Sequence, residues 1–374
     1  MKMIKINYSA VLSVVLSASL VLFTAVFCDE LGTFTQTALN KVFGAGEKTV
    51  EYMNTPLEGG SGEKKSFAIL GFGSGKKEEK RKDENETDIP ADIKELMKKY
   101  EKLYDGYKKS GDIQEIQMGA SSVSMKYGNV TLNNKTESHK ADIKAELNKT
   151  PSFGKISKDE PYILIYHTHT TEGYEILDKG WYSNDYNSRT ENVSKTVVRV
   201  GDEITEQLEN AGYKVIHDKT VYDSTYNGAY SRSLVTVEKY LKQYPSIQVT
   251  IDVHRDAIHY DSGTKCKPTA VINGKKAAQI MIITGCEEGD ITDFPDWQKN
   301  LTFAVALQNK VEEKYNGLMR PIFFCQRKYN MNVTPCSLLL EFGTDANTLD
   351  EAVYSGRLLG KSLSSLLDDY CKKE

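Results

Sequence analysis

From residue 162 onwards the sequence alternates short apolar runs with amphipathic segments, and this order constrains the fold more than any other feature. Apolar runs occur at 162–166, 214–216 and 248–253, and the segments between them repeat their apolar residues at helical spacing. This order is typical of βαβ units, in which parallel strands are joined by helices that cover the sheet. The sequence therefore predicts one α/β domain, with a mixed, largely parallel sheet and flanking helices.

Two local patterns fix boundaries within this domain. Asn273-Gly274 separates the apolar runs 269–272 and 278–283, which predicts a two-residue type I′ hairpin. Thr348-Leu-Asp-Glu351 has the spacing of a capping box and predicts where the last helix begins. Three more elements follow from apolar patterns: strands at 322–325 and 338–340, and a helix after Trp297.

The N-terminal region predicts a membrane anchor. Residues 10–28 carry no charge and are close to the roughly 20 residues that a helix needs to cross a bilayer. Lys2 and Lys5 precede this segment. Residues 1–28 are therefore predicted to be a cytoplasmic N-terminus and a single-pass anchor in the cell membrane, with the rest of the chain outside the cytoplasm. Cleavage of the segment as a signal peptide is the alternative, and the sequence leaves it open.

The region between the anchor and the α/β domain divides into two predicted parts. Residues 29–90 are predicted to be a disordered spacer, because their glycine, serine and mixed charges cannot bury enough apolar surface to offset the entropy of folding. Residues 91–157 combine a helical pattern with short strand patterns and are predicted to be a small lead-in module. The α/β domain is predicted to cover 158–374.

The composition argues against two classes of function. The net charge is −4 and no basic patch with interleaved aromatic residues occurs, so nucleic acid is not expected as a partner. The cysteines beyond the predicted anchor lack CxxC spacing and are odd in number, so neither a disulfide framework nor a thiolate zinc cluster is expected. Other side chains must therefore supply the chemistry.

Three apolar runs of the domain end in ionisable residues. One run is followed by His167 and His169, a second by His254 and a third by Glu341. Because ligands collect at the carboxyl ends of strands in open α/β sheets, we expect these groups to lie close together. Two histidines and a carboxylate, with a fourth position left for water, form a catalytic zinc site, and the bound water then ionises near neutral pH.

Glu172 is predicted to be the carboxylate ligand, with Glu191 as its rival. Glu172 follows His169 by three residues, so both reach one ion from a single turn. Glu191 lies just before the first helix of the domain. His167 is assigned a supporting role, because His169 lies deeper in the turn towards Glu172.

Glu341 is predicted to be the general base and acid. It ends an apolar strand, where a carboxylate is costly unless it is paired or bound to metal. Arg255 is predicted to act in catalysis by binding a substrate carboxylate or the developing oxyanion, and Asp256 to orient a histidine ligand. An ion pair between these two neighbours is the alternative.

Four motifs follow one another in the domain: Leu164-Ile-Tyr-His-Thr-His-Thr-Thr-Glu172, Val198–Gly201, Asp252–Asp256 and Leu340–Gly343. In this order they resemble the stage II sporulation protein P family of cell-wall hydrolases, and the resemblance covers roughly residues 120–374. It implies a zinc amidase-like fold and a zinc-dependent N-acetylmuramoyl-L-alanine amidase that cuts peptidoglycan between glycan and stem peptide. A further endopeptidase activity is left open. The resemblance also implies action in spore engulfment beside a membrane-anchored lytic transglycosylase.

The resemblance implies site residues as well. The broader zinc amidases use a histidine after strand one, a carboxylate, a second histidine and a late glutamate, which correspond here to His169, Glu172 or Glu191, His254 and Glu341. Those amidases place the carboxylate at the start of the first helix, where this chain has Val193. Glu172 is therefore preferred as the ligand.

Two other functions are considered. An amidohydrolase-type metal hydrolase also has His-x-His after its first strand, but it needs more histidines at later strand ends than His217, His254 and His259 provide. An inactive, membrane-anchored wall-binding module would be expected to have lost His169, His254 or Glu341. All three are present.

Overall fold

The computed structural model describes residues 48–49 and 85–371 of the chain. The predicted anchor at 10–28 lies outside these residues, and so does the predicted spacer apart from 48–49 and 85–90. Among the residues that are described, no helix combines the length and apolar character needed to cross a membrane.

Helices and strands alternate through most of the described chain. The helices are α1 (Ala91–Tyr104), α2 (Ile143–Leu147), α3 (Val197–Asn210), α4 (Ala229–Gln243), α5 (Trp297–Lys314) and α6 (Leu349–Cys371), with a short 3-10 helix at Val193–Lys195. The strands are β1 (Lys48–Thr49), β2 (Gly111–Ile116), β3 (Met125–Tyr127), β4 (Val130–Asn134), β5 (Pro161–Tyr166), β6 (Trp181–Tyr182), β7 (Lys214–His217), β8 (Val249–Asp256), β9 (His259–Tyr260), β10 (Lys265–Ile272), β11 (Lys275–Ala278), β12 (Ile280–Gly285), β13 (Ile322–Cys325) and β14 (Cys336–Thr344).

Eight strands form the main sheet, in the order β3-β4-β13-β12-β14-β8-β5-β7. Neighbouring strands are parallel except at β3–β4 and β12–β14, which are antiparallel. The predicted mixed, largely parallel sheet is therefore confirmed. In the described residues this sheet is open, with β3 and β7 at its edges, so it is not the closed barrel that the amidohydrolase alternative requires.

Both faces of the central strands are covered, which explains their continuous apolar sequences. Along β5, Ile163 and Ile165 lie in the large core with residues of α3 and α6. Leu164 and Tyr166 point to the opposite side, where they pack with Val237 of α4. A strand that is buried on both faces carries no polar alternation, as is usual for parallel sheets.

A smaller sheet contains β1, β9, β10, β2 and β6, with β11 paired to β10. Its strand β2 pairs in parallel with β10, whereas β4 pairs in parallel with β13 of the main sheet. The predicted lead-in module thus contributes β2 to the smaller sheet and β3 and β4 to the main sheet. Its residues Ile93, Val130 and Phe153 also lie in the same core as the α/β domain.

The two predicted boundary patterns form as expected. Asn273 and Gly274 have φ values of 49° and 79° and connect β10 to β11, with Ile272 opposite Lys275. The backbone N–H of Thr348 donates to Glu351 Oε2 at 3.0 Å, and the N–H of Glu351 donates to Thr348 Oγ1 at 3.2 Å, which completes the capping box. The run after the hairpin differs from the prediction, because it divides into β11 and β12, and β12 joins the main sheet.

Strands β8 and β14 are longer than predicted and carry site residues inside them. His254 and Glu341 are expected beyond strand ends, but β8 continues to Asp256 and β14 to Thr344. The two strands pair in parallel, with Glu341 opposite His254. The pairing is then irregular until Thr344, and Gly343 accommodates this bend with a φ of 64°.

Candidate metal centre

His169, Glu172 and His254 converge at the edge of the main sheet. One potential ligand atom of each lies within 4.8 Å of the others. His169 Nδ1 is 3.3 Å from Glu172 Oε1, and His254 Nδ1 is 3.4 Å from Glu172 Oε2. The three residues are only 7%, 5% and 2% exposed, so the group is buried. The structure therefore brings together the three residues predicted as metal ligands.

The chain path explains this convergence. After β5 ends at Tyr166 the backbone turns sharply, and the N–H of Glu172 donates to the carbonyl of His169 at 3.1 Å. The carbonyl of Glu172 accepts from Val197, the first residue of α3, at 2.8 Å. His254 comes from β8, the neighbour of β5 in the sheet. Two adjacent parallel strands thus deliver all three side chains to one point.

Glu172 is held in the ionised form by its neighbours. Its Oε1 lies 3.2 Å from Arg189 Nη2, and its Oε2 accepts from the backbone N–H of Arg255 at 3.1 Å. Burial alone would raise the pKa of Glu172, but His169 and His254 outweigh burial and hold the pKa well below its ordinary value. An ionised carboxylate is the form that coordinates a metal ion.

Asp252 supports His254 from the same strand. Residues two apart on a strand face the same side, and His254 Nε2 lies 2.8 Å from Asp252 Oδ1, at ion-pair distance without the alignment of a hydrogen bond. Asp252 is fixed in turn by Thr168, whose N–H and hydroxyl donate at 2.8 and 2.7 Å. Burial lowers the pKa of His254, but Asp252 and Glu172 outweigh it, so the net pKa is raised well above its ordinary value.

The sequence prediction missed Asp252 as the supporting acid and named Asp256 instead. In the structure Asp256 Oδ2 accepts from Arg320 Nη1 at 3.0 Å. The Asp-x-His spacing of Asp252 and His254 on one strand was the signal that could have identified the correct acid. A carboxylate behind a metal-ligating histidine fixes the ring and raises its basicity.

Glu341 lies beside the three potential ligands on the neighbouring strand β14. It is opposite His254 in the strand pairing, and its Oε2 is buried without a hydrogen-bond partner among the described residues. Burial, followed by the negative charge of Asp256, raises the pKa of Glu341 to about 8. A buried carboxyl oxygen without a partner is costly, which indicates that a group outside the chain belongs there.

His167 occupies a separate position behind the centre. Its Nδ1 lies 3.0 Å from the carbonyl of Val253, and its Nε2 lies 2.8 Å from His217 Nε2. Because a carbonyl only accepts, Nδ1 of His167 carries the proton and Nε2 accepts from His217. Burial and His217 lower the pKa of His167 well below its ordinary value. Both nitrogens are therefore engaged, in keeping with a supporting role.

Gly201 of the second motif is explained by this histidine pair. A Cβ atom at Gly201 would lie 2.6 Å from His217 Nε2 and 2.8 Å from His167 Cε1. Any side chain on α3 at this point would push the two rings apart. Glycine is thus needed for helix α3 to pass directly over the pair.

Two other predicted site residues lie at different positions around the centre. Glu191 is exposed and lies outside the cluster of potential ligands. Arg255 is buried, and its guanidinium donates to the carbonyls of Gly173 and Asp256 and to Ser188 Oγ. The catalytic role of Arg255 stays a prediction, because these contacts show it holding the loop around Glu172.

Aromatic side chains, which the sequence analysis did not identify, form one wall of the centre. The ring of Tyr226 stacks on His169 at 4.7 Å between centroids. Tyr230 lies 5.5 Å from the His169 ring and 6.4 Å from the His254 ring, and Tyr329 stacks on Tyr230 at 5.1 Å. These rings restrict the orientation of both histidines and exclude water from their outer faces.

The centre opens into a cavity of about 760 Å³. His169, Glu172, His254 and Glu341 line it together with residues of the smaller sheet. The donor set of two imidazoles and one carboxylate is that of catalytic zinc sites such as His₂Glu. Glu341, whose Oε2 has no hydrogen-bond partner among the described residues, lines the same cavity as this set, so the residues present fit a catalytic zinc ion.

Among solved structures, the chain is similar to two amidases. The CwlD amidase from Clostridioides difficile in complex with the GerS lipoprotein is 11% identical with a TM-score of 0.34, and the match covers 57% of this chain and 100% of that chain. The N-acetylmuramoyl-L-alanine amidase from Clostridium difficile 630 is 15% identical with a TM-score of 0.33, over 57% and 99% of the two chains. Similarity at this level says nothing about the activity of this chain.

The comparison with protein families is more specific. The family model of Stage II sporulation protein P (SpoIIP) matches residues 69–364, which is most of the chain. Stage II sporulation protein P of Bacillus subtilis (strain 168) is 31% identical over 205 residues, which covers 52% of this chain and 48% of that relative. The chain thus spans about half the length of the relative it matches. As its four motifs predict, the chain belongs to the stage II sporulation protein P family.

Proposed function

We propose that the chain is a zinc-dependent N-acetylmuramoyl-L-alanine amidase that hydrolyses peptidoglycan during sporulation. The observation that carries this proposal is the buried convergence of His169, Glu172 and His254 beside Glu341. This donor set supports metal-assisted hydrolysis. The link to peptidoglycan as the substrate rests on the family and its motifs. Stem peptides that are cut internally among the released products would show an additional endopeptidase activity.

His169, Glu172 and His254 would hold the zinc ion. Zinc in such a set polarises a carbonyl and makes a water molecule acidic enough to attack at neutral pH. Asp252 would keep the His254 ring oriented, and Arg189 would fix the Glu172 carboxylate. Tyr226, Tyr230 and Tyr329 would exclude bulk water from the outer faces of the two histidines.

Glu341 would transfer the proton. It accepts a proton from the attacking water as the water oxygen bonds to the lactyl carbonyl carbon. When the C–N bond breaks, Glu341 returns the proton to the nitrogen of the departing stem peptide. Burial raises the pKa of Glu341 above its ordinary value, and a carboxyl group whose pKa is closer to the working pH can both accept and release a proton. We assign Arg255 the stabilisation of the developing oxyanion.

The proposal is tested on purified peptidoglycan with the full-length chain. Mass spectrometry of the soluble products should detect free stem peptides, and a chelator should abolish their release. Glu341→Gln should retain zinc but release stem peptides about 10²- to 10⁴-fold more slowly, because the proton acceptor is lost. The exposed Glu191→Gln is the matched control and should stay active.

Three outcomes would decide against this function. Release that persists after chelation excludes zinc chemistry, and full activity of Glu341→Gln excludes the proposed base. Binding to peptidoglycan without any released product would instead favour the inactive wall-binding module.

We further propose that residues 10–28 anchor the protein in the membrane with the catalytic domain outside the cytoplasm, beside a lytic transglycosylase. The uncharged length of this segment and the preceding lysines support the orientation. Protease added to intact cells without a cell wall should digest the domain. Complete protection would contradict the orientation.

A further inference from the structure

One end of the cavity is formed by the smaller sheet and carries charged residues that the proposed chemistry does not use. Lys265 of β10 and His259 of β9 both contact Asp345, which follows β14 directly. All three line the same cavity as Glu341 and His254. We refer to Lys265, His259 and Asp345 as the charged wall.

Asp345 holds the other two residues of the charged wall in place. Its Oδ2 lies 2.7 Å from Lys265 Nζ and 3.0 Å from His259 Nε2. Burial opposes ionisation of Asp345, but Lys265 and His259 outweigh burial and keep the pKa of Asp345 well below its ordinary value. The backbone N–H of Asp345 donates to the carbonyl of Asp256 at 3.1 Å, which fixes the segment against β8.

Lys265 and His259 both keep free hydrogen-bonding capacity. Among the described residues, the ammonium of Lys265 has only Asp345 as an ion-pair partner and rests 4.3 Å from the ring centroid of Tyr182. An ammonium has three N–H donors, so two have no ion-pair acceptor in the part of the chain that the structure describes. His259 uses Nε2 as the donor to Asp345. Its Nδ1, which has no hydrogen bond to another described residue, donates to a ligand only when the ring is protonated.

The charge balance of this end favours an anion. Two carboxyl groups, Asp345 and the buried Glu175, act on Lys265 and the buried guanidinium of Arg255. Burial raises the pKa of Glu175 to about 7, so its negative charge is incomplete at neutral pH, and Glu175 does not line the cavity. Asp256 is paired with Arg320, and Asp261 at the rim is exposed to solvent, which screens its charge. Lys265 is only 8% exposed, so its spare donors are costly unless a ligand or water accepts from them.

Away from Asp345 along β14, the cavity has a different character. Leu339 lies two residues before Glu341 and pairs with Ile283, and both line the cavity together with Tyr230 and Tyr329. None of these side chains is charged at neutral pH. A substrate with one uncharged part and one anionic part would therefore enter in a single orientation, with the anionic part at the charged wall.

We propose that Lys265, joined by His259 in its protonated form, binds a carboxylate of the stem peptide, and that Asp345 positions both of them. This inference rests on the proposed amidase function. In the intact substrate the lactyl carboxyl is already part of the scissile amide, whereas the acidic residues of the stem peptide carry free carboxylates. The charged wall would therefore select peptides with free carboxylates over the same peptides with carboxamides.

The experiment uses the zinc-loaded, full-length chain and two soluble fragments. One is N-acetylmuramoyl-L-alanyl-D-glutamate with both carboxylates free, and the other is its diamide. For the wild-type chain, kcat/KM should be about 10- to 100-fold higher for the free acid than for the diamide, because the diamide loses a charge-assisted hydrogen bond. Most of this difference should come from a lower KM for the free acid. Equal kcat/KM values for the two fragments would overturn the proposal without any variant.

Variants of the charged wall separate recognition from folding. Lys265→Met should lower kcat/KM for the free acid about 10- to 100-fold. Its kcat/KM for the diamide should stay within about twofold of the wild-type value. Lys276→Met is the matched control, because Lys276 pairs with Glu115 and Asp178 outside this cavity, and it should keep the wild-type preference. An equal loss on both fragments would assign Lys265 a structural role and refute the proposal.

Two outcomes remain distinct from these. If the wild-type chain cleaves neither fragment nor intact peptidoglycan, the amidase function itself fails. If Lys265→Met does not fold, Lys265→Arg keeps the positive charge and should keep the preference for the free acid. A folded Lys265→Arg that loses the preference while its diamide cleavage is unchanged would show that the carboxylate needs the geometry of an ammonium. An unchanged preference in His259→Ala would show that His259 does not bind the carboxylate.

Discussion

The cluster of His169, Glu172 and His254 and the cluster of Glu115, Asp178 and Glu351 both place three potential ligand atoms within 4.8 Å of one another. They differ in what faces those atoms. Two histidines flank Glu172, whereas in the second cluster a lysine ammonium lies among the three carboxylates. Proximity of ligand atoms alone therefore does not identify a metal site.

The second cluster is organised by Lys267. Its Nζ lies 2.7 Å from Glu351, 2.9 Å from Asp178 and 3.4 Å from Glu115. Burial lowers the pKa of Lys267, but Glu351 and Asp178 outweigh it and raise the pKa above its ordinary value. Lys267 thus stays charged and takes the place that a cation would occupy. We refer to this arrangement as the lysine cluster.

The largest expected effect removes the carboxylate of the metal centre. Glu172→Ala should weaken zinc binding by more than about 100-fold, because only two imidazoles would remain. Glu191→Ala is the control and should bind zinc as the wild type does. Metal content of the two purified proteins measures the difference. Zinc loss in Glu191→Ala alone would transfer the ligand role to Glu191.

The second prediction concerns the lysine cluster. Glu351→Gln should destabilise the fold by about 3 kcal/mol, because Lys267 is buried and would lose its closest counter-charge. Zinc content should not change. Urea unfolding measures the stability, with Asp369→Asn, an exposed partner of Lys310, as a control that should cost less than about 1 kcal/mol. Loss of zinc without loss of stability would instead identify the lysine cluster as a metal site.

The smallest effect is expected from the support of His254. Asp252→Asn should weaken zinc affinity about 10- to 100-fold, because an amide orients the imidazole less strongly than a carboxylate. Asp256→Asn is a close control, since Asp256 pairs with Arg320 instead. Competition with a fluorescent chelator measures both affinities. Equal weakening in the two variants would argue against a specific role for Asp252.

The sequence was sufficient to predict the elements that depend on local patterns. The capping box at Thr348, the hairpin at Asn273 and the apolar strand β5 depend on residues that are neighbours in the chain, so their patterns are visible without the fold. The convergence of His169 with His254 was also predictable, because strand order in an α/β sheet brings carboxyl ends together.

Other features depend on contacts between distant segments, and no local pattern reports them. Tyr226 stacks on His169 although the two residues are far apart in the chain and belong to different loops. Gln279 divides the run after the hairpin because its buried side chain bonds to the backbone of Met118 and Gly317. The side-chain partners of Arg255 likewise become apparent only when the loop around Gly173 is in place.

The pairing of β2 with β10 and of β4 with β13 has a consequence for dissecting the protein. A fragment that begins at residue 158, the predicted start of the catalytic domain, would leave the edges of β10 and β13 without their partners. Unpaired strand edges invite association between chains. Lys265 would also lose the strand that braces it. The minimal autonomous unit must therefore include the segment that precedes the catalytic residues.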